Sequence, residues 1–344
     1  MAEVENAASE TAPAPMRTRI TALFGIRYPI VQGGLAHLAY SGLAAVSEAG
    51  GLGQIGCACF ETPRELRADI RRLKERTRLP YGVNFPLGHR PLDAFVDVAL
   101  VEGAPVISIT AGNPEGILRQ VQQSGVRLPP KTMVLVAGSR AARKSEDLGA
   151  DAVIAVGYEG GGHLGRDDIS TLVLVPRVVE TVSIPVLASG GIADGRGLAA
   201  ALALGAEGLE LGTRFIAVRE CIAHQAYTEA LVAASETDTA LIETSIGRPA
   251  RVLRRGPLVE RILTLEAELE QRGASREEAL EALLPYIRGE VNKRAAIDKH
   301  VDEGFIWAGQ AAGLIRDIPT ARELVERMVR EARRIVERMR EWFG

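Results

Sequence analysis

The segment Leu187–Gly197 reads LASGGIADGRG, with glycine crowded at the junction of two elements. The run leading into it, SIPVL, is short, apolar and β-branched, and the run after it, LAAALALGA, is strongly helical. A glycine-rich turn from strand to helix suits a phosphate, because backbone N–H groups and the positive end of the helix face the anion. Ser189 and Thr213 would add hydroxyl donors there, and Arg214 a charge. A second stretch, GYEGGGHLG at 157–165, carries His163 among glycines. An imidazole exchanges a proton near neutral pH, so His163 is the candidate catalytic acid or base. Gly161 and Gly162 beside it would let a ligand lie close to the backbone.

The other histidines offer less. His37 follows a QGG turn and either lines the same pocket or caps a helix; His89 and His300 read as surface positions, and His224 as a helix position. Tyr158 and Glu159 precede the glycine run and are weaker candidates for lining it. Three cysteines, Cys57, Cys59 and Cys221, are too few for a disulfide scaffold. Cys57 and Cys59 read as reduced thiols at a strand end, and no metal site is expected.

These groups need a scaffold, and the chain supplies a regular one. Apolar strands are expected at 29–34, 51–57, 81–85, 105–112, 132–138, 151–157, 184–191 and 208–215. Each of the first seven is followed by a helical stretch; TPRELRADIRRLKERT, with Thr62 as N-cap and Pro63 at the first helical position, is the best marked. Continuous apolar strands are buried on both faces, which calls for a parallel sheet under helices. Eight such units point to a (β/α)8 TIM barrel, with a doubly wound open sheet as the alternative. In a barrel the chemistry sits at the C-terminal strand ends, and the loops after strands seven and eight hold phosphate. Both glycine-rich turns fall there.

The regularity stops after the eighth strand. Residues 1–16 are acidic, rich in Ala and Pro, and read as a disordered tail. Residues 17–218 form the barrel, completed by a final helix at 319–344 whose apolar face carries Leu324, Val325, Met328, Ile335 and Met339. Residues 219–318 read as an inserted helical cap over one barrel end. With 41 basic and 44 acidic residues the formal charge is -3, so nothing favours nucleic acid. No signal peptide or membrane-length apolar run is present, and a cytoplasmic protein is expected.

Taken together, PIVQGGLA, EAGGLGQIG, YGVNF, GYEGGGHLG, IPVLASGGIADGRGLAAALALGAEGLELGTRF and WAGQAAGLI resemble the nitronate monooxygenase (2-nitropropane dioxygenase-like) family, from about Ile20 to the C-terminus. The FMN-dependent enoyl-acyl-carrier-protein reductases of type II are close relatives of that family. The resemblance implies a barrel that binds FMN without a covalent link. By matching motifs it puts the phosphate loops on Ser189, Gly190, Gly191, Gly212 and Thr213. It puts the ring contacts on Gln32, Gly33, Gly34 and Asn84, and the active-site histidine on His163. One departure matters: GGL follows the first-strand glutamine where nitronate monooxygenases have APM. The QGG form and TAGNP at 110–114 look more like the reductase branch.

The expected activity is oxidation of alkyl nitronates with O2 to carbonyl compounds and nitrite. The alternatives are NAD(P)H-dependent reduction of an enoyl thioester or quinone, and a flavin-binding barrel without activity of its own. A small-molecule substrate is expected, with a homo-oligomer as an option. An acyl carrier protein would be a partner only in the reductase reading, using Arg248, Arg251, Arg254 and Arg255 as a basic patch; a solvated, salt-bridged surface is the other use of these arginines.

Overall fold

The computed structural model describes residues 11–88, 90–298 and 300–344. His89 and residues 1–10 of the expected tail therefore lie outside the described residues. Eleven strands occur among them: β1 (Ile30–Gln32), β2 (Gly53–Gly56), β3 (Tyr81–Pro86), β4 (Val106–Thr110), β5 (Lys131–Val136), β6 (Ala152–Val156), β7 (Gly162–His163), β8 (Val186–Ser189), β9 (Gly208–Leu211), β10 (Thr239–Ile242) and β11 (Ala250–Leu253).

Eight of them form one parallel sheet in the order β1-β9-β8-β6-β5-β4-β3-β2. Leu52 joins its two edges: its N–H donates to Ile30 O and its carbonyl accepts from Gln32 N, both at 2.9 Å. The sheet thus closes as a (β/α)8 barrel, and the eight expected strands are its staves. The eighth is shorter than its apolar run suggests, because Thr213–Ile216 turns into a short helix.

Side chains inside the barrel change character along its axis. The end nearest the strand N-termini is apolar, with Val31, Leu52, Val106, Met133, Ala152, Ile154 and Leu187 in one cluster. The helix Arg19–Phe24 plugs that end with Ile20 and Phe24, its start fixed by a Thr18 capping box. Each such fully buried side chain contributes about 1.5–3 kcal/mol of transfer free energy. Higher up, Gln54, Asn84, Ser108, Ser189 and Glu210 point inward, and the alternate residues Ile55, Phe85, Ile107, Leu209 and Leu211 pack outward under the helices. The strand period of two makes this possible without breaking the outer core.

The C-terminal helix Ala321–Phe343 packs against the helices Gly195–Ala203 and Ala44–Glu48. Gly195 permits the close crossing, since a Cβ there would overlap the Met328 carbonyl. Leu324, Val325 and Met328 are buried, while Ile335 packs only partly.

Several local expectations change. Residues 11–16 are placed against the barrel: Tyr28 Oη and Arg27 Nη2 donate to Pro13 O at 2.5 Å, and Met16 N donates to Arg27 O. Residues 219–318, expected as a helical cap, also hold the antiparallel pair β10–β11. Cys57–Cys59 forms a 3-10 turn after β2 rather than a strand face. Thr62 is the expected N-cap and, with Glu65, forms a capping box; Ser41, which the sequence also offers as an N-cap, instead bonds the buried Asp69 through both its N–H and its hydroxyl.

Candidate active site

The C-terminal strand ends carry a linked set of polar groups. Gln54 Nε2 donates to Gln32 O at 2.6 Å, and Gln32 Oε1 accepts from Gln54 N at 2.7 Å. Ser108 Oγ donates to Gln54 Oε1 at 2.5 Å, and Asn84 Nδ2 donates to Ser108 Oγ at 3.0 Å. Satisfied in this way, buried amides rigidify the site floor. Gly33 and Gly34 have a local reason for being glycine. A Cβ on Gly33 would overlap Glu210 Oε1, and one on Gly34 would overlap the Asn84 amide. At these two positions the absent side chain makes room for protein, where a flat ligand was the expected beneficiary.

Glu210 is a feature that the sequence reading passed over. It faces the barrel interior at 7% exposure, and Ser189 Oγ donates to its Oε2 at 2.6 Å. Burial pushes its carboxyl above the usual carboxylate range, and the single serine donor offsets only part of that. The Ser189 hydroxyl is thereby turned inward, away from the role of anion donor.

The other expected side-chain donors are also engaged. Thr213 Oγ1 accepts from Gly309 N at 3.0 Å. Arg214 is buried and donates to Ala217 O and to Asp317, and burial lowers its pKa to about 10. The helix Gly195–Ala203 is capped by Asp194, whose carboxylate occupies the place an anion would take. Among the described residues, the N–H groups of Gly190, Gly191 and Gly212 have no acceptor within the chain. Gly190 and Gly191 are held at φ +93° and +72°, which glycine adopts without strain, and a Cβ on Gly212 would meet only Leu35 Cδ2, at 3.9 Å. Backbone donors on the two adjacent turns therefore suit a phosphate, and side-chain donors do not contribute.

The loop after β6 is clamped from two directions. Glu159 accepts from Thr171 N at 3.0 Å and from Thr171 Oγ1 at 3.0 Å, so its carboxylate caps the helix Thr171–Thr181 and does not line the site. Gly161 lies against the Ala308–Gly309 backbone, close enough that either side chain would collide, and Gln310 N donates to Glu159 O at 2.9 Å. Gly162 and His163 then form β7, which pairs antiparallel with β11 through Arg251 and Ala250. Segment 219–318 thus meets the barrel at the rim that carries His163.

His163 is 33% exposed, and its ring centroid lies 5.2 Å from that of Trp307. Its Nε2 is 3.5 Å from Oε1 of Glu243, which is 1% exposed. Arg248 holds the other oxygen of Glu243, with Nη2 at 2.6 Å and Nε at 3.2 Å. Burial opposes ionisation of Glu243, but His163 and Arg248 hold its carboxyl below the usual range. His37 is half-buried on the turn Ala36–Leu38 after β1, against the helix Gly289–Ala296. His224 caps the helix Gln225–Ala233, and His300 is exposed beside Glu303.

Of the four arginines, Arg248, Arg254 and Arg255 face Glu243, Glu260 and Asp302. Arg251 is buried and donates to Tyr158 O. No group of three or more metal-ligating side chains occurs among the described residues. Among the described residues, the non-glycine positions at positive φ are Leu35, Ala36, Ala111 and Glu243. The first three follow β1 and β4, and the fourth sits beside His163. Such backbone is held in place only by its surroundings, and here it collects at one rim.

The fold is a (β/α)8 barrel, and the relatives named below make the chain an oxidoreductase. The chain belongs to the nitronate monooxygenase family, whose model matches residues 17–93 and 88–331. That family consists of flavoenzymes. A probable nitronate monooxygenase of Staphylococcus saprophyticus is 30% identical, over 94% of this chain and 99% of the relative. A (3aS,4S,5R,7aS)-5-hydroxy-7a-methyl-1-oxo-octahydro-1H-indene-4-carboxyl-CoA dehydrogenase of Mycobacterium tuberculosis is 32% identical, over 92% and 96%. FabK from Thermotoga maritima superposes with a TM-score of 0.85 at 41% identity, over 95% of this chain and 99% of that one. Among the described residues no helix is long and apolar enough to cross a membrane.

Proposed function

We propose that this chain is an FMN-dependent oxidoreductase that oxidises alkyl nitronates with O2 to carbonyl compounds and nitrite. The observation that carries the reading is the pairing, on one barrel rim, of unclaimed N–H groups on the turns after β8 and β9 with His163 on β7. Gly190, Gly191, Gly212 and Thr213 would hold the FMN phosphate through their backbones. Gln32, Gly33, Gly34 and Asn84 would form the floor under the ring, with Gly161 and Gly162 beside it. His37 would line the substrate side. When bound, FMN supplies the electron acceptor between substrate and dioxygen. His163 takes the carbon-bound proton of a neutral nitroalkane or, protonated, holds an anionic nitronate.

The FabK likeness, at the higher identity of 41%, favours a second reading. There NAD(P)H is the reductant, an enoyl thioester the acceptor, and His163 a proton donor to the product.

Anaerobic mixing separates the two. The purified yellow protein is mixed with a nitronate and, in another cuvette, with NADH or NADPH. Bleaching by nitronate alone supports the first reading. Rapid bleaching by a nicotinamide with no response to nitronate replaces it with the second. A protein that takes up no FMN overturns both. Gly191→Asp should lose FMN, because its carboxylate meets the phosphate, and normal FMN content in that variant would remove the assigned turn.

A further inference from the structure

Glu243 is an unusual residue for its place. It is a carboxylate at 1% exposure, and its backbone is left-handed at φ +61°. Glycine takes that conformation freely, while a residue with a Cβ takes it only when the surroundings impose it. The surroundings here are explicit. Glu266, itself buried, accepts from Glu243 N at 3.0 Å, from Ser245 N at 2.9 Å and from Ser245 Oγ at 2.8 Å. Arg248 N closes the turn on Glu243 O at 3.1 Å. One buried carboxylate thus fixes the turn that aims a second one, and the second reaches His163 Nε2 on one side and Arg248 on the other. The strain, the burial and the cation serve one geometry, which ends at the imidazole.

We propose that Glu243 is the positioning residue of this site: its carboxylate accepts a hydrogen bond from His163 Nε2–H, holds the neutral ring as the Nε2–H tautomer, and so makes Nδ1 the basic nitrogen. This rests on the reading of His163 as the base. When His163 removes a proton from the carbon beside a nitro group, the C–H electron pair moves toward that group and the proton lands on Nδ1. The positive charge then appearing on the ring lies beside an ionised carboxylate. Arg248 keeps that carboxylate ionised despite its burial, and Arg248 itself is half in solvent. The pairing acts on the neutral nitroalkane of the proposed function, because only that form gives up a carbon-bound proton.

The test compares Glu243→Gly, Glu243→Gln and His163→Ala with the parent holoenzyme. Glycine suits the backbone at φ +61°, so Glu243→Gly keeps the turn and removes the acceptor. Proton–nitrogen correlation spectra of histidine-labelled protein report the tautomer, with the His163 signals recognised by their loss in His163→Ala. A single Nε2–H tautomer in the parent, a mixture in Glu243→Gly and an intermediate pattern in Glu243→Gln are expected. The parent pattern persisting in Glu243→Gly overturns the proposal. Turnover is read with neutral nitroethane and, for the reductase reading, with NADH and crotonyl-CoA. Glu243→Gly should lower kcat/KM by about 10- to 100-fold, within what a general base contributes. The same change made on His163→Ala should cost almost nothing more, because Glu243 acts through that ring. An equal loss in both backgrounds also overturns the proposal. Normal turnover of His163→Ala beside a changed tautomer in Glu243→Gly removes the base role and leaves the pairing intact.

Discussion

Two glutamates, one inside the barrel and one on its rim, are both almost fully buried. Glu210 lies inside the barrel with one neutral donor, Ser189. Glu243 lies in the segment docked on the rim, between Arg248 and His163. Burial alone would push both carboxyls up. It succeeds at Glu210 and fails at Glu243, whose carboxyl is held down. A hydroxyl repays little of the desolvation of a charge, whereas a guanidinium with two N–H contacts repays most of it. The charge pattern of the site therefore follows from partners and not from depth. The barrel floor tends toward a neutral acid, and the rim beside His163 carries a fixed anion.

That contrast can be broken at its geometry first. Gly33→Ala would drive a methyl into Glu210 Oε1 and should cost about 1–3 kcal/mol, measured by urea unfolding. Adding Glu210→Ala should recover most of that loss, and no recovery would place the strain elsewhere. Next is Arg248→Ala, which leaves Glu243 with His163 alone. We expect a loss of about 1–2 kcal/mol at pH 7, reduced from a fully buried pair because Arg248 is 46% exposed. The folded pKa of Glu243 is depressed, so this stabilisation is present above the usual glutamate range and disappears as pH falls through the folded value. Unfolding of Arg248→Ala at pH 7 and near pH 4 reads the sign directly. The smallest effect belongs to Glu210→Gln. The folded pKa of Glu210 is raised, so the parent is best stabilised below pH 4.5 and loses stability as pH rises through the folded value. The glutamine variant should unfold later than the parent at pH 8, by about 1 kcal/mol, and match it near pH 4. A variant less stable than its parent at pH 8 would mean that the charged form is solvated in a way burial does not reveal.

Much of the scaffold was legible in the sequence. The strands of a closed parallel barrel are apolar on both faces wherever they run under helices, and runs such as DAVIAVG and PVISITAG announce themselves. The β10–β11 pair did not, because TALIETSIGRPARVL alternates weakly and is broken by Gly247 and Pro249. His163 stood out by its glycine neighbours. Glu243, eighty residues later, carried no mark, since its relation to His163 depends on the pairing of β7 with β11. The direction of a hydroxyl was likewise hidden. Ser189 sits in a turn that looks made for phosphate, yet the period of two on β8 faces it inward to Glu210.

The clamp on the loop after β6 is made by residues 308–310, and the last helix of the barrel wall is Ala321–Phe343. Both lie far along the sequence from the elements they hold. Arg322 reaches Glu48 O across 274 residues, and Arg333 reaches Ala14 O across 319. A chain lacking residues 308–343 keeps all eleven strands and the β7–β11 pairing of His163, but loses the helix beside Ala44–Glu48 and Gly195–Ala203 and the backbone clamp on Gly161. One late segment thus carries two loads, the barrel wall and the loop after β6, so a lesion in either half of it is felt in the other.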